Sequence, residues 1–330
     1  MKQFILLLTL VLPFFLADCK KDANAPTSPP SSQTNWTEAD SGLTNIFVHS
    51  LVVSGVNLFA GSENGIFLST NNGASWGAAN AGLTNNEVNA LAFSGTDLLA
   101  GTFGGGIFLS ENNGTSWIAD TIGLASTPPP NSASSPLVAY YVYALAVSNT
   151  NIIAGTNGGG VLLSTNNGAK WTAVNTGLTN AWVYSLGVSG TNLFAGTAQG
   201  GGVFLSTNNG ANWTAVNNGI SPYASIHSLA VSGSNIFAGT DYGVYLSTNN
   251  GASWTEASTG MTRAIVSALA VSGTNLFAGL QGGGVYLSTN NGTSWTAVND
   301  GLNNLFVNAL LASGTNLIAG TSAGVWRRSF

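Results

Sequence analysis

Charge and cysteine are what this 330-residue chain has least of. Only 6 % of its residues are charged, seven basic against twelve acidic, and it contains one cysteine and two histidines. The shortage of bases excludes an electrostatic nucleic-acid binder. Beyond Lys21 the only ones are Lys170, Arg263, Arg327 and Arg328, too few to neutralise a run of phosphates. A single cysteine excludes an internal disulfide. The two histidines have no Cys or acidic cluster beside them, so the usual zinc-ligand sets are missing as well. The longest apolar stretch, Phe4 to Ala17, is too short and wrongly flanked for a transmembrane helix. Nothing in the composition calls for a cofactor, and none is expected.

What the chain does have is apolar content (44 %), 43 glycines and a repeat. The segment Ser-Thr-Asn-Asn-Gly-Ala-Ser-Trp ends at Trp76, and variants end at Trp117, Trp171, Trp213, Trp254 and Trp295. Successive tryptophans lie 41, 54, 42, 41 and 41 residues apart, so a unit of about 41 residues is copied and one copy carries an insertion. A period of this size means a solenoid, propeller or array. Regular Val, Leu, Ile, Phe and Trp positions argue against disorder despite the low charge.

The N-terminus is set apart from the repeats. Lys2, the apolar stretch and Leu16-Ala17-Asp18-Cys19 resemble the signal peptide and lipobox of a bacterial lipoprotein, in which the cysteine becomes the lipidated first residue. Asp18 departs from the small residue usual before that cysteine. This resemblance implies a signal peptide over 1–18, lipidation of Cys19, and attachment to the bacterial envelope as an outer-membrane lipoprotein, periplasmic or surface-exposed. Several acyl chains on one cysteine make a stable anchor. Residues 19–34 are rich in Pro, Ser, Ala and Thr and read as a flexible tether. The repeat domain then occupies 35–330.

Each unit divides into four short β-branched or aromatic runs bounded by Gly and Asn, the mark of consecutive antiparallel hairpins. One copy reads Val183–Val188, Leu193–Thr197, Val203–Ser206 and Trp213–Val216. Asn-Gly in the box suits a tight turn because both residues tolerate positive φ. With Ser69, Asn71, Gly73, Ser75 and Trp76 in register, the box resembles the Asp-box (BNR) repeat, with Asn in place of Asp. The amide oxygen of Asn71 can accept turn N–H groups as a carboxylate would. First-strand copies begin at Val48, Val88, Val142, Val183, Ile226, Val266 and Val307, and the last repeat lacks a fourth strand. Trp36-Thr37-Glu38-Ala39 matches a fourth strand with no preceding three. The expected fold is therefore all-β: a seven-bladed β-propeller of four-stranded antiparallel blades, closed by an N-terminal strand completing the last blade. An open β-solenoid is the alternative.

Function is sought where the copies differ. The residue after the first-strand Val or Ile is His49, Asn89, Tyr143, Tyr184, His227, Ser267 and Asn308 in blade order, and the residue before it is Phe47, Glu87, Tyr141, Trp182, Ser225, Ile265 and Phe306. Innermost strands surround the channel, so these positions should ring its mouth. Turn residues Glu63, Phe103, Asn157, Gln199, Asp241, Tyr242 and Gln281 should lie further out on the same face. His49, Tyr141, Tyr143, Trp182, Tyr184, His227 and Tyr242 are the ligand-binding candidates. A water-filled channel lined by polar residues is the competing explanation. The Pro- and Ser-rich excess from Ser126 onward projects from the same face, as a lid or a neutral insertion.

The Asp-box resemblance invites a sialidase reading, but that chemistry needs an arginine cluster, a glutamate-activated tyrosine and an acidic proton donor. Tyr143, Tyr184 and Glu87 have no arginine triad to surround them, and Glu63, Glu87 and Asp241 are scattered over different repeats. The expected protein is not an enzyme. It is similar to non-catalytic propellers such as sortilin-like receptor domains and photosystem II assembly factor propellers, which implies a monomeric binding or scaffolding protein with a protein or peptide partner. A glycan-binding adhesin, using Trp182, Tyr141 and Tyr242 to stack on sugars, is the alternative, and a sialidase-like exo-glycosidase a more distant one.

Overall fold

The computed structural model describes residues 35–43, 46–120, 122–124 and 141–330. The expected signal peptide, Cys19, the tether and the Pro/Ser-rich insertion fall outside the described residues. Within them lie 28 strands and no helix. They form seven separate four-stranded antiparallel sheets, the seven blades of a propeller. Blade one consists of β2 (Val48–Ser54), β3 (Asn57–Ser62), β4 (Gly65–Ser69) and the short β5 (Gly77–Ala78), and the next five repeat that order. Blade seven takes β26 (Val307–Ser313), β27 (Asn316–Thr321) and β28 (Gly324–Ser329) from the end of the chain. Its fourth strand is β1 (Thr37–Glu38), from the beginning. Thr37 pairs with Arg327 and Glu38 with Trp326. The ring is closed as the stray N-terminal strand requires.

The core is not central. Apolar clusters lie between neighbouring blades: Phe59 and Ile66 of blade one, for example, pack with Val88, Leu98, Phe108 and Trp117 of blade two. Second strands are buried on both faces because each is flanked by sheets. The box tryptophans fasten each seam. The indole N–H of Trp76 donates to Ala39 O at 2.7 Å, and that of Trp213 to Val174 O at 2.7 Å. Trp36 donates to Val298 O at 2.6 Å, so the closing seam uses the same device.

The boxes build their own turns. Asn72 and Gly73 hold φ of 56° and 86°. Asn71 Oδ1 accepts the Ser75 N–H at 2.9 Å and the Ser69 hydroxyl at 2.8 Å, while the Gly73 N–H donates to Ser69 Oγ at 2.9 Å. The amide oxygen performs the turn-closing work expected of it.

Candidate functional site

Each first strand starts with an irregularity. In blade one Val48 pairs with Ser62, but the next pair is Ser50 with Gly61, so His49 is the extra, unpaired residue of a bulge. The same shift falls at Asn89, Tyr143, Tyr184, His227, Ser267 and Asn308. A bulge re-aims the side chain it carries. That is why this one register tolerates polar and aromatic residues in an otherwise apolar strand.

All seven bulge residues line one cavity of about 430 Å³ at the channel mouth, together with Phe47, Glu87, Phe103 and Gln281. The adjoining stretch of channel is lined by Leu51, Leu91, Leu145, Leu186, Leu229, Leu269 and Leu310, one from each blade, together with Ser50, Ser185 and Ser228. The site is thus a cup with a mixed aromatic and polar rim that continues into a channel ringed by leucines.

The rim divides into two parts. Aromatic groups run from blade one to blade five. Phe47 lies 4.7 Å from the His49 ring, Phe103 lies 6.4 Å from Tyr143, Tyr143 lies 5.2 Å from Tyr184, and Tyr184 stacks on His227 at 6.1 Å. Blades six and seven contribute hydrogen-bonding groups: Gln281 Nε2 donates to Asn308 Oδ1 at 2.7 Å, and the Ser267 hydroxyl donates to Val307 O.

Strand pairing also sets each bulge residue beside the turn residue fourteen positions later. His227 Nε2 meets Asp241 Oδ1 at 2.7 Å, while the other carboxylate oxygen accepts the Ser225 N–H at 2.8 Å. Hydrogen bonds from His227 and Ser225 outweigh burial and hold the Asp241 carboxyl below its ordinary value. Blade one repeats the arrangement more loosely, with the Phe47 N–H donating to Glu63 Oε1 at 3.4 Å. Burial lowers the His49 pKa, opposed by the charge of Glu63, and His49 Nε2 is buried without a partner. The Tyr143 hydroxyl is pushed up by burial and by the nearby Tyr184 and Glu87.

His49, Tyr143, Tyr184 and His227 therefore share the cup, whereas the other three candidates do not line it. Tyr141 lies behind it, against Phe103 at 4.4 Å. Trp182 bridges to Asn157 and is 37 % exposed on the rim's outer side. Tyr242 belongs to a separate cavity of about 240 Å³ with Ser221, Glu256 and Thr262, where Arg263 lies over its ring at 5.3 Å. Conversely, Phe103 and Gln281, expected further out, reach the cup. Isolated bridges link Phe103 to Tyr141 and Gln281 to Phe306, although Asn157, bridged to Trp182 in the same way, does not line the cup. Among the described residues no group of three or more His, Cys, Asp or Glu could hold a metal ion.

Fold and cup together define a seven-bladed propeller with one differentiated face. A family model described as the DUF6242 beta propeller domain matches residues 193–311. No curated protein matches the chain. Among solved structures, the chain is similar to the extracellular domain of BT4673 from B. thetaiotaomicron, with a TM-score of 0.72 and 18 % identity. That match covers 90 % of this chain but only 40 % of the other. YCF48 bound to D1 peptide gives 0.66 and 14 % identity, covering 90 % of this chain and 97 % of that one. The GH74 enzyme of Niastella koreensis gives 0.59 and 18 %, covering 86 % and 43 %. Identities this low establish the shared propeller fold.

Proposed function

We propose that this protein is a non-catalytic, envelope-anchored binding or scaffolding propeller that receives a protein or peptide segment in the cup at its channel mouth. One observation carries the reading: seven bulges aim side chains of four kinds (His, Asn, Tyr and Ser) into a single cavity, while the box face stays nearly identical from blade to blade. The cavity's lining mixes aromatic rings with hydrogen-bonding groups, next to a ring of seven leucines that also pack in the blade seams. Apolar walls shed water and favour an apolar or aromatic group. The solved neighbour bound to a peptide is consistent with that use of a propeller, and neighbours that are extracellular domains accord with an envelope location.

Anchoring through lipidated Cys19 belongs to the same proposal, as does a monomeric state. Cys19→Ala should release the protein from membranes and abolish lipid labelling; continued retention with labelling overturns the anchor. Affinity capture from native envelopes tests the binding face. The protein should retain a defined partner that a Tyr143→Ala/Tyr184→Ala variant loses, and equal capture by both removes the cup from the account. The exposed Trp182 ring favours glycan binding as a second reading. In that case Trp182→Ala should abolish carbohydrate retention while leaving protein capture unchanged.

A further inference from the structure

We infer that the cup is built for a cationic group, and specifically for an arginine side chain presented by the partner segment; this rests on the peptide-binding reading above. Three observations meet here. The first is charge. Glu87 lines the cavity, and two further carboxylates stand behind its lining: Asp241 is bonded to His227, and Glu63 accepts the Phe47 N–H. Among the described residues no Lys or Arg lines it. The four bases among the described residues are held elsewhere or face away. Arg327 donates to Asn72 O in a box turn, Arg328 donates to Val298 O, Arg263 covers Tyr242, and Lys170 sits in a box on the opposite face.

The second observation is the aromatic arc of Phe103, Tyr143, Tyr184 and His227, with centroid spacings of 5.2–6.4 Å. Ring faces attract a guanidinium through their quadrupoles, and arginine stacks on such faces better than lysine because it is planar and weakly hydrated. The third is shape. The cavity of about 430 Å³ adjoins a ring of leucines, which suit the methylene stem of a long side chain while its head stays at the polar rim. An anionic or purely apolar occupant would leave Glu87, the carboxylate that lines the cup, unmatched. A carboxylate-bearing ligand would meet like charge with no donor cluster to offset it.

The test uses the full-length protein and peptides of sequence Ac-Gly-Ser-Xaa-Ser-Gly-amide, with Xaa as arginine, lysine, citrulline or glutamate, titrated by ligand-observed NMR. Citrulline keeps arginine's shape and removes its charge. The arginine peptide should bind best, and citrulline should bind roughly five- to thirtyfold more weakly. Glutamate should show no binding. Tyr184→Leu should weaken the arginine peptide by a similar factor, and Glu87→Gln by about two- to fivefold. Equal binding of arginine and citrulline, lost in Tyr184→Leu, overturns the cation assignment and leaves the peptide reading standing. Binding unmoved by both variants overturns the cup as the site, and with it both readings. No binding of the arginine peptide at about 10 mM overturns the inference alone, and the parent reading is then decided by the envelope capture. Glu87→Gln, a conservative change in a partly exposed side chain, keeps the test decisive if Tyr184→Leu does not fold.

Discussion

Replacing Asp120 by alanine should stabilise the propeller, although an aspartate there looks at first like a harmless surface acid. Aligning the blades puts Ala39, Ala79, Val174, Val216, Ala257 and Val298 at the same position, three residues after each fourth-strand tryptophan. In the sister blades this residue packs beside the glycine of the next box, as Ala39 does with Gly73 and Val216 with Gly251. Asp120 instead presses its carboxylate against Gly168. Burial pushes its pKa up to about 6 from the ordinary 3.8. The seam it belongs to is also the one where the box tryptophan, Trp171, has an indole N–H without an acceptor. The folded state therefore holds the Asp120 proton more tightly than the unfolded chain. Its contribution is complete below about pH 4 and is lost as the pH rises through about 6. The unscreened equivalent at neutral pH is about 3 kcal/mol. Because the side chain is half-exposed, about 1 kcal/mol should survive solvent screening. Thermal unfolding at pH 7.5 should show Asp120→Ala and Asp120→Asn melting about 2–4 °C above the parent, with the Asn difference vanishing near pH 4. An Asn variant equal to or less stable than the parent at pH 7.5, or a difference that does not change with pH, would refute the reasoning.

Three further outcomes test other parts of the structure. Trp36→Ala should cost about 3–5 kcal/mol in chemical denaturation, as a buried Trp in any other seam would; a loss below about 1 kcal/mol contradicts closure by β1. Gly219 holds φ at 96° and an added Cβ would overlap the Trp254 carbonyl oxygen, whereas Gly233 at 60° has open space around it. Gly219→Ala should thus cost well over the ~1 kcal/mol of backbone strain expected for Gly233→Ala, and equal losses refute the close approach. Burial depresses the His49 pKa, so its stabilising contribution is complete above about 6.5, the unfolded value, and is lost as the pH falls toward and through the folded value. Between pH 7.5 and 5 the parent should lose stability relative to His49→Gln, and a constant difference shows that His49 is not desolvated.

The blade count was legible because the repeat is strict, and β1 could be assigned because Trp36-Thr37-Glu38-Ala39 is a fourth strand without an owner. Tyr143, Tyr184, His49 and His227 could be found as a variable register. What made that register variable could not be read, since a bulge leaves no residue-type signature and depends on the pairing of Val48 with Ser62 and its counterparts. The His227–Asp241 contact was hidden for the same reason: the two residues are fourteen apart and meet only once the bulge fixes the register. A signal existed in retrospect, because His49 and Glu63 keep the same spacing and the same pairing of types. Tyr242 was legible as a turn residue further out than the mouth, but its engagement by Arg263 of the next connection, in a cavity apart from the cup, depends on tertiary placement that no spacing shows.

Which face meets a partner decides the function of this propeller. A photo-crosslinking amino acid placed at position 184 in the cup, and separately at position 209 in a box turn, measures this in intact envelopes. Crosslinks to a specific protein from position 184 and none from 209 are the predicted result. Equal labelling from both, or labelling from the box face alone, would contradict the assignment of the variable face as the binding surface.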